Sequence, residues 1–237
     1  MNADWNEVSG KDVTYLLTFQ VSMKEKSKQF ICDVPGGVQY RKPVNHDIPA
    51  LQFCAGIKED GSALALIPDS KYGYRVTEDT LAVSLINTAN YPDPYPDRGL
   101  HVVNIALAIA KNSPKQLEEL ANSYNHPTYF LSNNSHQGVL PMDMSFIQFI
   151  AQSSVLSAVL PVEKSSEHRK EFHVRFYEME GKEDKVILKF KETPTKAWCV
   201  DLNGNEIESD IQINGMEVSV SVESYTIGEV KVVFEGI

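Results

Sequence analysis

Positive charge is scarce in this sequence, and the shortage limits the partners that the protein can have. Lysine and arginine number 22 against 32 aspartate and glutamate residues, which gives a formal net charge of −10. No run of five basic residues occurs. Because proteins hold nucleic acids mainly through lysine and arginine contacts to phosphates, a nucleic-acid binder is excluded. An anionic membrane surface is disfavoured for the same reason.

Long hydrophobic runs and targeting signals are also missing. The best apolar run, 102–110, is about half the ~20 residues that a membrane-spanning helix needs, and Asn104 interrupts it. The first ten residues are polar and acidic, without the basic and apolar regions of a secretory signal. The sequence therefore predicts no membrane segment and a cytoplasmic location.

Cysteine is rare, and the residues that would mark a reaction centre are scattered. The three cysteines, Cys32, Cys54 and Cys199, are widely spaced, which favours reduced buried thiols over a disulfide framework or a zinc knuckle. The one close pair of histidines, His168 and His173, is predicted on opposite faces of a strand. No G-x-S-x-G elbow, H-E-x-x-H motif or phosphate loop occurs. The residues alone predict neither a catalytic constellation nor a metal site.

What the sequence does have is β-strand patterning. Apolar and polar residues alternate over 13–23, and the same period of two returns at 81–85 and 103–109. Such alternation is typical of half-buried strands. Between two further apolar runs, Asp60-Gly61 supplies the positive φ that a tight turn needs, and this predicts a hairpin.

One helix is predicted within this pattern. Ser113 as N-cap, Pro114 at the first helical position and Gln116 three residues after the cap form a full start signal. The helix is expected to end before His126-Pro127, because the residue that precedes a proline avoids the helical region. The stretch from there to Ser145 is predicted to be an irregular loop.

Short regular strands separated by strong turn signals begin at about Ser153. The strands predicted at 172–176 and 186–190 flank a turn and are expected to form a hairpin. The fold class is therefore all-β. Residues 1–152 are expected to form part of a large antiparallel β-sandwich with the one short helix, and residues 153–237 a small C-terminal β-sandwich domain.

One loop stands apart, the segment Tyr91-Pro92-Asp93-Pro94-Tyr95-Pro96-Asp97-Arg98-Gly99. Its three prolines make it rigid and inexpensive to order. Aromatic, carboxylate and guanidinium groups on a preorganised loop, here Tyr95, Asp97 and Arg98, are what a sugar site uses for stacking and hydrogen bonding. The alternative interpretation, a structural crossover in which Asp97 and Arg98 form a local ion pair, is equally well supported by the sequence.

Six short motifs follow one another along the chain: Val34-Pro35-Gly36-Gly37-Val38, Asp69-Ser70-Lys71-Tyr72-Gly73-Tyr74, Tyr91-Pro92-Asp93-Pro94, Asp97-Arg98-Gly99 with His101, Ser157-Ala158-Val159-Leu160-Pro161 and Val174-Arg175-Phe176-Tyr177-Glu178. Together they resemble the C-terminal β region of glycoside hydrolase family 38 α-mannosidases. The resemblance covers nearly the whole chain from about Tyr15, whereas Met1 to Lys11 matches nothing in the family and shows no periodic pattern.

The resemblance implies an enzyme family that cleaves terminal α-mannosides with retention, through a carboxylate nucleophile and a zinc ion held by His and Asp. It also implies that those residues lie in an N-terminal α/β barrel, whereas this chain begins inside a large sandwich of the supersandwich type whose first strands are absent. Catalytic residues, metal ligands and cofactors are therefore not expected in this chain, and zinc belongs to the parent enzyme. By the same resemblance, Arg98 reaches toward the bound sugar.

Two functions are compatible with these features. In the preferred one, the chain is a non-catalytic region that is inactive alone, packs on the α-mannosidase catalytic domain and lends Arg98 and Tyr72, with Tyr95 and Asp97, to the pocket for a mannose-containing glycan. In the alternative, it is a stand-alone carbohydrate-binding or interaction module. An incomplete sandwich exposes unpaired strand edges and apolar surface, so a homo-oligomer is expected in isolation.

Overall fold

The structure is a computed structural model that describes residues 1–135, 137–139, 141–162 and 169–235. The chain folds into two compact units, Met1–Thr128 and Tyr129–Ile237. Each unit is built mainly of antiparallel strands around its own apolar core. The prediction of an all-β fold of sandwich type is confirmed.

The first unit, all of whose residues the structure describes, contains eleven strands. They are β1 (Asn2–Trp5), β2 (Tyr15–Ser22), β3 (Phe30–Val34), β4 (Gly37–Arg41), β5 (Val44–Pro49), β6 (Cys54–Ile57), β7 (Ser62–Pro68), β8 (Gly73–Thr77), β9 (Thr80–Thr88), β10 (Gly99–Val102) and β11 (Ile105–Lys111). A five-stranded sheet has the order β11-β7-β6-β3-β4, a four-stranded sheet has the order β2-β9-β8-β5, and β1 pairs with β10. One buried cluster takes side chains from both larger sheets, which therefore pack face to face.

The alternation read from the sequence places the core of this sandwich. Leu81, Val83 and Leu85 on β9 are buried, and Leu17 and Phe19 on β2 pack against the same cluster. Leu17 and Phe19 are alternate residues of β2, as expected for side chains that share one face of a strand. Both strand predictions are confirmed.

The hairpin predicted around Asp60-Gly61 is also confirmed. Strands β6 and β7 pair antiparallel on either side of it. Gly61 has φ +79°, a left-handed conformation that costs glycine little. The Asp60 carboxylate accepts a hydrogen bond of 2.8 Å from the main-chain N–H of Ser62 and closes the turn.

Helix α1 (Pro114–Asn125) begins and ends as its sequence signals predict. The Ser113 side chain accepts a hydrogen bond of 3.3 Å from the main-chain N–H of Gln116. Leu117 and Ala121 are buried against the five-stranded sheet, on the face opposite the sandwich core. Among the described residues, no helix is long and apolar enough to span a membrane.

The described part of the second unit contains eight strands. They are β12 (Ile147–Ile150), β13 (Ser154–Pro161), β14 (Arg169–Glu178), β15 (Asp184–Phe190), β16 (Lys196–Cys199), β17 (Ile211–Asn214), β18 (Glu217–Val222) and β19 (Ile227–Glu235). One antiparallel sheet has the order β12-β15-β18-β17 and the other β13-β14-β19-β16. Apolar residues of both sheets meet in one cluster, which makes this unit a β-sandwich.

The hairpin predicted from 172–176 and 186–190 is wrong. Strand β14 pairs with β13 and β19, whereas β15 pairs with β12 and β18, so the two strands lie in opposite sheets. The turn between them crosses from one sheet to the other. The Glu178 carboxylate holds it there by accepting hydrogen bonds of 2.8 Å from the main-chain N–H groups of Glu180 and Gly181.

The division into units also differs from the boundary placed between residues 152 and 153 by the sequence. Strand β12 pairs with β15, and the second unit therefore includes the residues from Tyr129 onward. The predicted loop between the helix and about Ser145 carries no helix or strand among its described residues. Such a loop offers no periodic pattern by which a boundary could be found within it.

Candidate functional site

The loop 91–99 connects β9 to β10 at the surface of the first unit. Tyr91 and Tyr95 expose 86% and 60% of their surface, respectively, and Asp97 and Arg98 are exposed as well. Exposed aromatic rings of this kind can stack on a sugar ring or on another flat apolar surface. The loop therefore presents an aromatic, an anionic and a cationic group together.

Contacts within the loop arrange these groups. The main-chain N–H of Tyr95 donates a hydrogen bond of 2.9 Å to the Asp93 carboxylate. The Arg98 guanidinium lies 5.8 Å from the centre of the Tyr95 ring, within cation–π range. His101 Nε2 lies 2.6 Å from the main-chain carbonyl oxygen of Asp97, so the imidazole donates from Nε2. Arg98 and Tyr95 are therefore in contact, and Asp97 precedes Arg98 on the same exposed loop.

An ion pair between Asp97 and Arg98, the structural alternative, is not observed. Both residues lie in the part of the chain that the structure describes, and neither takes part in a salt bridge there. Asp97 has φ +56°, a left-handed conformation that is uncommon outside glycine. The two charged side chains remain at the surface, where each can contact a ligand.

The base of the loop is fixed by the N-terminal segment, which sequence analysis did not connect to it. Trp5 Nε1 donates a hydrogen bond of 2.7 Å to the Thr88 hydroxyl, and the Ser9 hydroxyl donates to the Thr88 carbonyl. Asn90 Nδ2 donates to the Gly10 carbonyl at 3.0 Å. A four-residue strand such as β1 is too short for its alternation to be recognised, which is why this anchoring was missed.

Tyr72 shares no polar or ring contact with the residues of the loop, in the part of the chain that the structure describes. Its side chain is 61% exposed, in the turn between β7 and β8, and its carbonyl accepts a hydrogen bond of 3.1 Å from Ala50. In the described structure, no hydrogen bond, ion pair or ring contact joins Tyr72 to Tyr95, Asp97 or Arg98. Among the four predicted sugar-contacting residues, the contact that the described structure shows is that of Arg98 with Tyr95.

The motif that contains Tyr72 has a largely structural role. Asp69 accepts hydrogen bonds from the main-chain N–H and the side-chain amide of Asn104, at 3.2 and 2.9 Å. Burial opposes the charge of this carboxylate, but the hydrogen bonds from Ser70 and Asn104 lower its pKa below the usual value. Tyr74 is completely buried in the sandwich core. Asp69 thus ties the end of β7 to the start of β11, and Tyr74 anchors β8 in the core.

Histidines do not form a metal centre in the described chain. Searched over those residues, the structure contains no group of three or more His, Cys, Asp or Glu side chains that could hold a metal ion. His173 Nδ1 lies 2.6 Å from Glu229, which also forms an ion pair of 2.5 Å with Arg175. His168, the other member of the predicted pair, lies outside the described residues.

A cavity of about 970 Å³ opens in the second unit, but its buried acids are already engaged. Asp184 accepts main-chain hydrogen bonds from Gln152, Ser153 and Ser154, and Glu229 is held by His173 and Arg175. The remaining buried lining is mainly apolar. The cavity thus offers no pair of free buried carboxylates for acid–base chemistry.

A buried polar network in the first unit escaped the sequence analysis. The Gln52 main-chain N–H donates to the Asp33 carboxylate at 2.9 Å, and the Gln52 amide donates to Glu118 and Asn122 at 3.2 and 3.0 Å. Burial, and secondarily the charge of Glu118, raise the pKa of Asp33 to about 7. These residues come from separate segments, so no motif marks them. Their bonds tie α1 to the sheet.

Two protein-family models match the chain. Residues 2–95 match the model described as glycosyl hydrolases family 38 C-terminal domain. Residues 156–228 match the model described as glycosyl hydrolases family 38 C-terminal beta sandwich domain. No curated protein matches the chain.

The limits of these matches bear on the candidate residues. Because the first match begins at residue 2, the expectation that Met1 to Lys11 lies outside the family is wrong. Tyr72 and Tyr95 lie inside the match, whereas Asp97 and Arg98 follow its end. The matched range therefore does not include Arg98, whose selection rests on the motif resemblance and on its exposed position beside Tyr95.

Proposed function

Because this chain belongs to the C-terminal region of glycosyl hydrolase family 38, we propose that it is the non-catalytic β region of an α-mannosidase. In this role it packs on the catalytic domain of the hydrolase and lends the loop 91–99 to the sugar pocket. The resemblance drawn from the sequence motifs is confirmed at the level of the family. The specificity for α-mannosides, the contact with glycan and the cytoplasmic location are proposals.

The proposed contact with sugar is supported by the exposure of Tyr95, Asp97 and Arg98 on one loop. The guanidinium and the carboxylate can donate to and accept from sugar hydroxyls, and the exposed ring of Tyr95 supplies a flat apolar face. The prolines and the Asp93 hydrogen bond preorganise the loop, which reduces the entropy lost on binding. In this proposal Tyr72 contributes from outside the group.

Retaining hydrolysis and zinc, which the resemblance implies for the parent enzyme, are not assigned to this chain. A zinc site needs three or four His, Cys, Asp or Glu ligands close together, and the described residues contain no such group. The residues described here therefore do not fit the metal. We propose that the nucleophile and the zinc ligands belong to the catalytic domain.

A stand-alone carbohydrate-binding module is the second candidate function. It is favoured by the exposure of Tyr91, which is 86% exposed and offers a second aromatic ring on the loop for stacking on a sugar. A module of this kind binds a glycan without the catalytic domain. The packing role predicts that the isolated loop, lacking the rest of the pocket, binds too weakly to detect.

A mannoside titration of the isolated chain separates these two functions. Trp5 is hydrogen-bonded to the base of the loop and reports on it, and a Trp198→Phe background leaves it as the sole tryptophan. For the packing role we expect no saturable fluorescence change with methyl α-mannoside at millimolar concentration. Saturable binding would favour the module, provided that Arg98→Ala weakens the affinity at least about tenfold and Lys71→Ala leaves it unchanged.

A further inference from the structure

Strand β11 forms an open edge of the five-stranded sheet, since β7 is its one strand neighbour in the first unit, which the structure describes throughout. The Asn104 carbonyl, just before β11, accepts a hydrogen bond from the main-chain N–H of Asp69. The hydrogen-bonded pairs of an antiparallel ladder recur at every second residue. The main-chain N–H and C=O groups of the even-numbered residues of β11 therefore face β7. The N–H and C=O groups of Ile105, Leu107 and Ile109 therefore point away from the sheet.

The same residues carry exposed apolar side chains. Leu107 and Ile109 expose 50% and 73% of their surface. In register they lie beside Leu66 and Leu64, on the face that packs toward the sandwich core. Natural edge strands are usually protected by charges, prolines or bulges, and β11 has none of these from Ile105 to Ala110.

The open stretch has defined ends. On one side, the Val103 N–H donates to the Met1 carbonyl at 3.0 Å, and the Met1 ammonium donates to the Val103 carbonyl at 2.7 Å. On the other side, the Lys111 N–H donates to the Gln116 side chain at 2.9 Å. Between these ends lies room for a strand of about five residues, and β1 already occupies the preceding part of the same edge.

We propose that this edge is completed by an extended segment that runs antiparallel to β11 in line with β1, with apolar side chains opposite Ile105, Leu107 and Ile109. The segment is supplied by the part of the hydrolase that carries the catalytic domain, so the proposal rests on the proposed function. Strand addition of this type gains main-chain hydrogen bonds, and the alternate apolar side chains extend the core. It would bury Leu107 and Ile109.

One symmetric pairing of two copies is blocked at this edge. If β11 paired with its own copy so that Leu107 faced Leu107, the register would put the second copy's Lys111 opposite Val103. Met1 occupies that position. A strand that continues the line of β1 meets no such obstacle. This geometry favours a strand in line with β1 over self-association in that register.

The edge is tested by adding a strand directly before Met1. The extension Lys-Val-Thr-Val-Thr-Val-Thr continues the register of β1 and places its valines opposite Ile105, Leu107 and Ile109. A Gly-Ser extension of the same length is the control. We expect amide hydrogen exchange at these three residues to slow by at least about 100-fold with the valine extension only. Equal exchange rates in the two extended proteins would overturn the proposal.

The source of the strand is tested with the catalytic region of a family 38 α-mannosidase, added in excess to the unextended chain. We expect the amides of Ile105, Leu107 and Ile109 to exchange more slowly when this region is added. The double substitution Leu107→Lys with Ile109→Lys should abolish the slowing. Unchanged exchange, or a concentration-dependent dimer with these amides protected in the chain alone, would overturn the proposal. Sugar binding by the loop 91–99 is measured on the same samples, so a failure of the glycan proposal leaves this result interpretable.

Discussion

An Asp184→Ala variant is expected to lose about 3 to 5 kcal/mol of unfolding free energy in the second unit. The Asp184 carboxylate accepts main-chain hydrogen bonds of 3.2, 2.9 and 2.8 Å from Gln152, Ser153 and Ser154. The residue is 9% exposed, so its removal leaves several N–H groups without an acceptor away from bulk water. Urea unfolding followed by Trp198 fluorescence, in a Trp5→Phe background, measures the loss.

The pH dependence of the same variant provides a second measurement. Burial opposes the charge of Asp184, but the hydrogen bonds from Ser153, Ser154 and Gln152 lower its pKa to about 2. Since the pKa is lower in the folded state, the stabilisation is present above about pH 4 and is lost as the pH falls toward 2, by about 2 kcal/mol. Asp184→Ala should remove this component. Glu183 is an exposed neighbour, and Glu183→Ala should change neither the unfolding free energy nor its dependence on pH. An equal effect in both variants would contradict the role assigned to Asp184.

An Asp33→Asn variant is expected to stabilise the first unit by up to about 4 kcal/mol at pH 8. Burial first, and then the charge of Glu118, raise the pKa of Asp33 to about 7. The residue is 3% exposed, so the ionised form carries a desolvation cost in the folded state. Asparagine keeps an oxygen that can accept the hydrogen bond of 2.9 Å from the Gln52 N–H.

The sign of this effect reverses the usual behaviour of a carboxylate. Because the folded-state pKa is raised, the favourable contribution of Asp33 is complete below about pH 4 and is lost as the pH rises toward 7. Asp33→Asn should therefore match the parent protein at pH 4 and exceed it at pH 8, in urea unfolding followed by Trp5 fluorescence. Asp12→Asn, which removes an exposed carboxylate, should have no such effect. A destabilised Asp33→Asn protein at pH 8 would contradict the assignment.

Elements governed by local patterns were predictable from the sequence. The helix from Pro114 to Asn125 was predicted from its cap and from the proline beyond it. The turn was predicted from Asp60-Gly61, because glycine readily adopts the left-handed φ that Gly61 has in the structure. The three cysteines are buried and free, as predicted, and Cys32 and Cys54 lie opposite each other on β3 and β6 with Sγ atoms 3.2 Å apart. These features depend on neighbouring residues or on burial alone.

Features that depend on distant segments were not predictable. A turn after Glu178 can join two strands of one sheet or cross between sheets, and only pairing with β12, β13, β18 and β19 decides between these. The same reason explains why the network of Asp33 with Gln52 and Glu118 was missed, since its members come from the sheet, a loop and α1.

The candidate site was predictable in part. Tyr95, Asp97 and Arg98 are close in sequence and all three are exposed, and the structure places the Arg98 guanidinium over the Tyr95 ring. Their contact with sugar stays a prediction. Tyr72 was grouped with them through family resemblance, and no contact in the described structure joins it to them. The support of the loop by Trp5 and Ser9 arises from residues more than 70 positions away and left no local signal.

Hydrolysis of an aryl α-mannoside by the purified chain tests the proposed non-catalytic role most directly. The release of the aryl group is measured with added zinc and with chelator, against an active family 38 α-mannosidase as the control. The account predicts no turnover above the uncatalysed rate in either condition, because the nucleophile and zinc ligands are assigned to the catalytic domain. Zinc-dependent turnover that persists through repurification would contradict it.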